Sequence, residues 1–129
     1  MTAFADPQLA ALTILRALAP STTYGTKAPE EFPEGDVPVL PYAQVRAGTS
    51  AVRWPVLVST PVRVVVWAET EAASTALAWR LLALLLDYKG GPDIRNFGDP
   101  LGPTPADDPE TGRPLATFTV TARLRPKNP

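Results

Sequence analysis

The chain has 129 residues, 45% of them hydrophobic and 19% charged, and a formal net charge of −1. These values fit one domain, 1–129, and give no indication of a membrane or of sequence-specific nucleic acid as a partner. The sequence has no Cys and no His, which excludes disulfides, thiolate nucleophiles and the usual Ser-His and Cys-His catalytic pairs. Because the N-terminus lacks the features of a signal peptide and no apolar run approaches the roughly 20 residues of a membrane span, we expect a soluble intracellular protein.

The first part of the chain predicts a helix followed by a long loop. Asp6 and Pro7 form a helix opening, with Asp as N-cap and Pro at the first helical position. Residues 20–36 show no periodicity, and a structureless loop of this length is often functional. Its acidic residues are Glu30, Glu31, Glu34 and Asp36. They are either a solvated acidic surface or contacts for a cation or a basic partner.

Two proline-flanked strands are predicted next. Val37–Ala47 is a weak strand, which Pro38 and Pro41 confine to a sheet edge at least at its start. Val52–Ser59 alternates at period two and forms the second strand. Thr60-Pro61 is expected to separate it from a third strand.

The most informative stretch is Val62–Tyr88, where a strand leads directly into a helix. The strand is apolar on both faces from Val64 to Trp67, which predicts a position inside the sheet. Thr70 is the expected N-cap of the helix. Apolar residues then line one side at Ala73, Leu77, Leu81, Leu84, Leu85 and Tyr88, and another side at Ala76, Trp79, Ala83 and Leu86. A helix without a continuous polar stripe needs cover on two sides, from a second helix or from a second subunit.

The last third predicts a short strand, a long loop and a terminal strand. Ile94–Phe97 is the short strand, Gly98–Ala106 is a Pro/Gly-rich loop, and Gly112 takes the left-handed position of a turn. From Ala116 to Leu124, apolar residues alternate with Thr or Arg, which is typical of an antiparallel strand with one buried face.

This order of elements predicts an α+β fold, with a mixed or antiparallel sheet packed by two α-helices. The expected centre of the core comprises Leu81, Leu84 and Leu85 against Val64, Val66, Phe118 and Val120.

The residues that could carry chemistry form no catalytic pattern. The acids Asp99, Asp107, Asp108 and Glu110 do not match the spacing of an EF-hand loop. No pair of carboxylates is fixed for glycosidase chemistry, and the lysines lie in loops or in the tail. We therefore expect no enzymatic activity, no catalytic residues, no cofactor and no metal.

The remaining candidates point to an interface. Trp54, Trp67 and Trp79 are either core residues or interface hot spots, where Trp is enriched. Arg123 and Arg125 share one strand face, either to protect a sheet edge or to form a positive patch with Arg46 nearby.

Two proline-rich loops are also expected to present partner contacts, because binding residues collect on loops of a rigid scaffold. These loops are Ser21–Asp36 and Gly98–Arg113. In the first loop, Glu30, Glu31 and Glu34 are expected to set register more than affinity.

The layout resembles the tail terminator proteins of siphophages, particularly those of actinobacterial phages. The resemblance rests on the N-terminal helix with its Pro-rich loop, on the strand Val62–Ala68, and on the Ala/Leu-rich helix carrying Ala78, Arg80, Leu81 and Leu85. It also rests on residues 108–114, Asp-Pro-Glu-Thr-Gly-Arg-Pro, which lead into the Thr-rich terminal strand.

The resemblance implies a structural virion protein with a tail-terminator-like α/β sandwich. Such proteins form a hexameric ring that caps the tail tube, ends its polymerisation and presents a surface to the neck of the head. The implied partners are the major tail protein of the tube and a head-tail connector or stopper protein. The implied location is the tail-neck junction of the virion, reached from the host cytoplasm. Two alternatives stay open: another neck or tail-completion protein, and a small oligomeric ligand-binding α+β module.

Overall fold

The computed structural model describes residues 3–33, 35 and 37–127, and within them it has two α-helices and a six-stranded sheet. The helices are α1 (Pro7–Leu18) and α2 (Glu71–Leu86). The strands are β1 (Thr23–Gly25), β2 (Tyr42–Ala47), β3 (Ala51–Arg53), β4 (Leu57–Trp67), β5 (Ile94–Asp107) and β6 (Pro114–Leu124). The strand order is β1-β2-β4-β6-β5, with β3 paired to β4. Only β1 and β2 pair in parallel. The predicted α+β class, with a mixed sheet and two packing helices, is confirmed.

Both helices begin where the sequence predicts. The Asp6 carboxylate accepts hydrogen bonds from the backbone N–H groups of Gln8 and Leu9, at 2.9 and 3.3 Å. The Thr70 hydroxyl accepts one from the Ala73 N–H at 3.1 Å. These caps satisfy N–H groups that have no partner inside the helix.

The central strand β4 corrects the predicted strand boundaries. Thr60-Pro61 does not separate two strands, because β4 runs through both residues. The pairing with β2 ends at Val62, so Pro61 lies beyond that ladder, and a proline there costs no hydrogen bond to β2. Residues 48–50 connect β2 to β3 at this gap. The Gly48 N–H donates to the Pro61 carbonyl there at 2.8 Å, and the Ser50 and Thr60 hydroxyls are 2.6 Å apart. The actual break in the predicted strand Val52–Ser59 falls at residues 54–56, which form a hairpin turn between β3 and β4.

The proline-rich segment Gly98–Ala106 is also different from the prediction. It belongs to β5 and pairs with β6, although register shifts interrupt the ladder around Leu101. Gly102 has a φ of 92°, and a Cβ there would lie 2.7 Å from the Thr117 carbonyl oxygen. Glycine therefore permits the irregular path by which this edge strand stays on the sheet.

The N-terminal loop and the following strand are corrected as well. Residues 20–36 are not structureless, since they include β1 and a 3-10 helix, Pro29–Glu31. The predicted strand Val37–Ala47 begins only at Tyr42, and at that start it pairs with β1 on one side and β4 on the other. It is thus an interior strand where the prolines had suggested an edge.

The main core lies between the two helices and one face of the sheet. Leu81 and Leu85 are fully buried there with Val64, Val66, Phe118 and Val120, as predicted. Leu84 is only partly buried, which corrects its predicted central place. The buried face of α2 comprises Ser74, Ala78, Leu81, Leu82 and Leu85.

A second, smaller cluster lies on the opposite face of the sheet. Tyr42, Val65 and Trp67 are buried there beneath Phe32, Leu40 and their neighbours. Neither α-helix packs on this face of the sheet, and we call the whole of it the open face.

Candidate functional site

An apolar stripe runs along the outer side of α2. It comprises Ala72, Ala76, Trp79, Ala83 and Leu86, all of them exposed. The spacing alternates between four and three residues, so these side chains form one continuous seam along the helix. The Trp79 side chain is 56% exposed. The N-terminal part of this α2 stripe, from Ala72 to Trp79, borders a shallow cleft that reaches Pro105 of β5.

A second apolar patch lies on the turn between β3 and β4. Trp54 is 64% exposed, and Val52 and Val56 are also exposed. The turn is closed by a hydrogen bond from the Val56 N–H to the Arg53 carbonyl at 2.7 Å. Trp54 packs against Phe4, with ring centroids 6.1 Å apart. We call these three residues, Val52, Trp54 and Val56, the hairpin patch. The turn hydrogen bond and the contact with Phe4 hold the patch in a defined position on the fold.

The third tryptophan has a structural role. Trp67 is 3% exposed, and its indole N–H donates to the Asp108 carboxylate at 3.1 Å. Burial would raise the pKa of Asp108, but hydrogen bonds from the Glu110 N–H, from the Trp67 indole and from Thr111 outweigh it. The pKa of Asp108 consequently lies below its ordinary value. This pair fastens the turn between β5 and β6 to the end of β4, so Trp67 is a core residue.

The predicted arginine patch is occupied by partners within the chain. Arg123 donates to the Asp99 carboxylate at 2.9 Å and to the Asn96 side-chain oxygen at 3.0 Å. Arg125 lies just beyond β6 and donates to the Gly91 carbonyl at 2.8 Å. Arg46 lies two strands away on β2 and joins neither of them. Arg123 and Arg125 thus fasten local structure at the end of the sheet.

The acidic residues of the N-terminal loop fall into three situations. Glu31 caps the 3-10 helix, where its carboxylate accepts from the Ala28 N–H at 2.8 Å. Glu30 is exposed and borders the cavity described next. Glu34 and Asp36 lie outside the described residues.

The same loop is fixed to the open face of the sheet. The Tyr42 hydroxyl donates to the Lys27 carbonyl at 2.6 Å, and burial raises the pKa of this phenol. Phe32 meets the Tyr42 ring edge-on, with centroids 6.0 Å apart. The loop is therefore part of the folded body and forms one wall of a cavity.

That cavity, on the open face, has a volume of about 450 Å³. Its floor includes Val65, Trp67 and Leu115, and its polar groups include Gln44, Arg46 and Arg63. Arg46 of β2 and Arg63 of β4 are directly opposite each other in the antiparallel register. Sequence reasoning did not find this pair, because each arginine is an ordinary exposed position of its own strand. Only the register between strands, which the sequence leaves open, brings them together.

The described residues show no grouping of three or more Asp and Glu side chains that could hold a metal ion. Within the same part of the chain, neither helix is long and apolar enough to cross a membrane. No protein-family model matches the chain, and the comparison with curated proteins gave no match.

Proposed function

We propose that this protein is a structural component of a phage virion that caps the tail tube as an oligomeric ring. In this role it ends polymerisation of the tube and offers the surface on which the head and neck are joined. Its partners are copies of itself, the major tail protein of the tube and a head-tail connector or stopper protein. The pattern resemblance to tail terminators suggests six subunits and a location at the tail-neck junction.

The observation that carries the proposal is the α2 stripe. A helix packed on a sheet in a monomer normally turns polar residues outward, whereas this helix exposes Trp79 and Leu86 among alanines. Small alanine side chains let another backbone come close, and a tryptophan supplies a large rigid contact. Such a seam supports association with another protein surface.

A second observation supports a ring over a two-fold dimer. The hairpin patch is a separate apolar surface on different elements from the α2 stripe. A subunit with two unlike contact surfaces can bind its neighbours head to tail, and such contacts form a closed ring when the rotation closes.

The test compares two neighbouring exposed positions of α2, Trp79→Gln and Arg80→Gln. Trp79 belongs to the stripe and Arg80 does not, yet both substitutions place the same side chain on the helix surface. Loss of a tryptophan hot spot costs about 2 kcal/mol or more per interface, roughly a thirtyfold loss of affinity. We expect Trp79→Gln to abolish rings and Arg80→Gln to retain them, in native mass spectrometry with and without tail tubes.

Wild-type protein that is strictly monomeric under both conditions would contradict the proposal. Assembly on the tube alone would agree with it, because a cap needs to form only at the end of a tail.

A head-tail stopper or another tail-completion protein is the nearest alternative, since it could use the same surfaces. Complementation of a terminator-deficient phage separates the two functions. A terminator restores normal tail length, whereas a stopper leaves overlong tails. The third alternative is a small ligand-binding module, and the cavity of about 450 Å³ on the open face is the one observation that favours it.

A further inference from the structure

We propose that the cavity on the open face of the sheet is a binding site for a short acidic segment of a partner protein. Arg46 and Arg63 supply the recognition, and an apolar floor accommodates side chains beside the bound carboxylates. This inference does not depend on ring formation, since it uses neither the α2 stripe nor the hairpin patch.

The arrangement of the two guanidinium groups is the first argument. Residues directly opposite in an antiparallel pair have Cβ atoms about 4.5–5.5 Å apart. Arg46 and Arg63 are such a pair, and both are exposed at the cavity. Two arginines at this spacing can bind one carboxylate from both sides or two adjacent carboxylates through paired N–H groups.

The charges of Arg46 and Arg63 are not neutralised by ion pairs within the described part of the chain. The ion pairs there are Arg123–Asp99 and Lys127–Asp93, which include neither arginine. Arg46 donates one long hydrogen bond to the Thr26 carbonyl, and Arg63 donates one to the Thr117 hydroxyl, each at 3.4 Å. A guanidinium has five N–H groups, so most of these donors have no acceptor among the residues that the structure describes.

The opposed arginines also carry an energetic cost for the fold. Like charges directly opposite each other on a sheet are destabilising. The chain therefore holds a locally unfavourable pair beside a concave surface of its open face. An anionic ligand would convert this repulsion into attraction, which is the pattern expected when a site is optimised for binding over stability.

The surroundings favour an acidic peptide over a nucleic acid. Glu30 and Asp108 also line the cavity, and the chain as a whole has a net charge of −1. A nucleic-acid backbone needs a continuous positive surface, which two arginines bordered by acids do not provide. Val65, Trp67 and Leu115 form a floor suited to apolar side chains. The favoured ligand thus carries one or two carboxylates beside apolar residues.

Calorimetric titration with two short synthetic peptides tests the proposal. One peptide has two central glutamates flanked by leucines, and the other has glutamines in their place. We expect the glutamate peptide to bind wild-type protein saturably and more weakly as salt rises from about 50 to about 500 mM. The double variant Arg46→Gln, Arg63→Gln should bind it at least about tenfold more weakly. Arg95→Gln, which removes an exposed arginine outside the cavity, should bind normally.

A second measurement separates a binding site from a structural one. Because the pair is mutually repulsive, Arg63→Gln alone should raise the melting temperature at low salt by about 1–4 °C while it weakens binding. A fall in the melting temperature would mean that the pair stabilises the fold, and it would overturn the proposal.

Three binding results would also overturn it. The first is no saturable binding of the glutamate peptide up to about 1 mM, and the second is equal binding of the glutamine peptide. The third is tighter binding of a short DNA duplex than of the peptide, which would make the cavity a phosphate site.

Discussion

The contact between Trp67 and Asp108 fastens two distant parts of the chain with one charged hydrogen bond. The two residues are 41 positions apart in sequence and 3.1 Å apart at the bonding atoms. Both residues are only 3% exposed. A hydrogen bond to a charged group contributes about 1.5–3 kcal/mol, so a single side-chain change should be measurable.

We expect Trp67→Phe to lower the free energy of unfolding at neutral pH by about 1.5–3 kcal/mol. Trp54→Phe is the matched control, since Trp54 is exposed, and it should stay within about 0.5 kcal/mol of wild type. Urea denaturation curves of the three proteins measure the difference.

The same pair predicts a specific pH dependence. The pKa of Asp108 in the folded protein lies below its ordinary value of 3.8. Its ionised form therefore stabilises the fold fully above that ordinary value, and this stabilisation is lost as pH falls through the folded pKa. The difference in free energy of unfolding between wild type and Trp67→Phe should therefore become smaller as the pH falls through that acid range. A stability difference that does not change with pH would show that it does not come from the ionised Asp108 carboxylate.

At this scale the sequence was informative about local chemistry and silent about distant contacts. The Asp6 and Thr70 caps and the left-handed Gly112, with φ of 71°, follow from neighbouring residues alone. The Trp67–Asp108 bond and the Arg46–Arg63 pair depend on strand register. Register is decided by the whole sheet, so no local pattern could predict either contact.

Among the elements, α2 decides which apolar residues are core and which are surface. Leu85 is fully buried, whereas Leu84, its neighbour in sequence, is only partly buried. We expect Leu85→Ala to lower the free energy of unfolding by about 2–5 kcal/mol, because it leaves a cavity. Leu84→Ala should cost clearly less, and thermal or urea denaturation of the two variants compares them directly. Equal losses would mean that the helix is rotated from the orientation described.

Sequence periodicity could not determine that orientation. A helix that is apolar on two sides offers two candidate core faces with similar patterns. The true one includes Ser74, a polar residue that is tolerated because its hydroxyl donates to the Glu71 carbonyl at 2.9 Å. The extent of α2 and its N-cap were predictable from the sequence. The rotation of α2 about its axis was not, because it depends on how the helix packs against β5 and β6.

For the strand β5, local composition led to a wrong prediction, since the segment Gly98–Ala106 was expected to be a loop. Its Pro100, Pro103 and Pro105 and its glycines are typical of a loop. Pairing with the long, regular strand β6 outweighs that local tendency, and irregular register accommodates the residues that fit poorly.

For the molecule as a whole, both edges of the sheet are poor templates for strand pairing. The edge strand β5 lacks the backbone donors of its three prolines, and on the opposite side the edge strands β1 and β3 have only three residues each. Association of subunits is therefore expected through side chains, on the α2 stripe and the hairpin patch.

A head-to-tail ring makes a prediction that a symmetric dimer does not. Trp79→Gln removes one of the two patches and Trp54→Gln the other, so neither variant alone should form rings. An equimolar mixture retains one intact pair of patches and should give heterodimers in native mass spectrometry. Normal rings from Trp54→Gln alone would show that the hairpin patch is not the second contact surface.

The three indole rings of this chain occupy three different surroundings, and this has an optical consequence. Trp67 is enclosed in the small cluster, whereas Trp54 and Trp79 face solvent on two separate elements. An indole in apolar surroundings emits at shorter wavelength than one in water. The unmodified protein thus carries its own reporters, since burial of Trp54 or Trp79 at a neighbouring subunit would shift the emission to the blue while Trp67 serves as a constant internal reference.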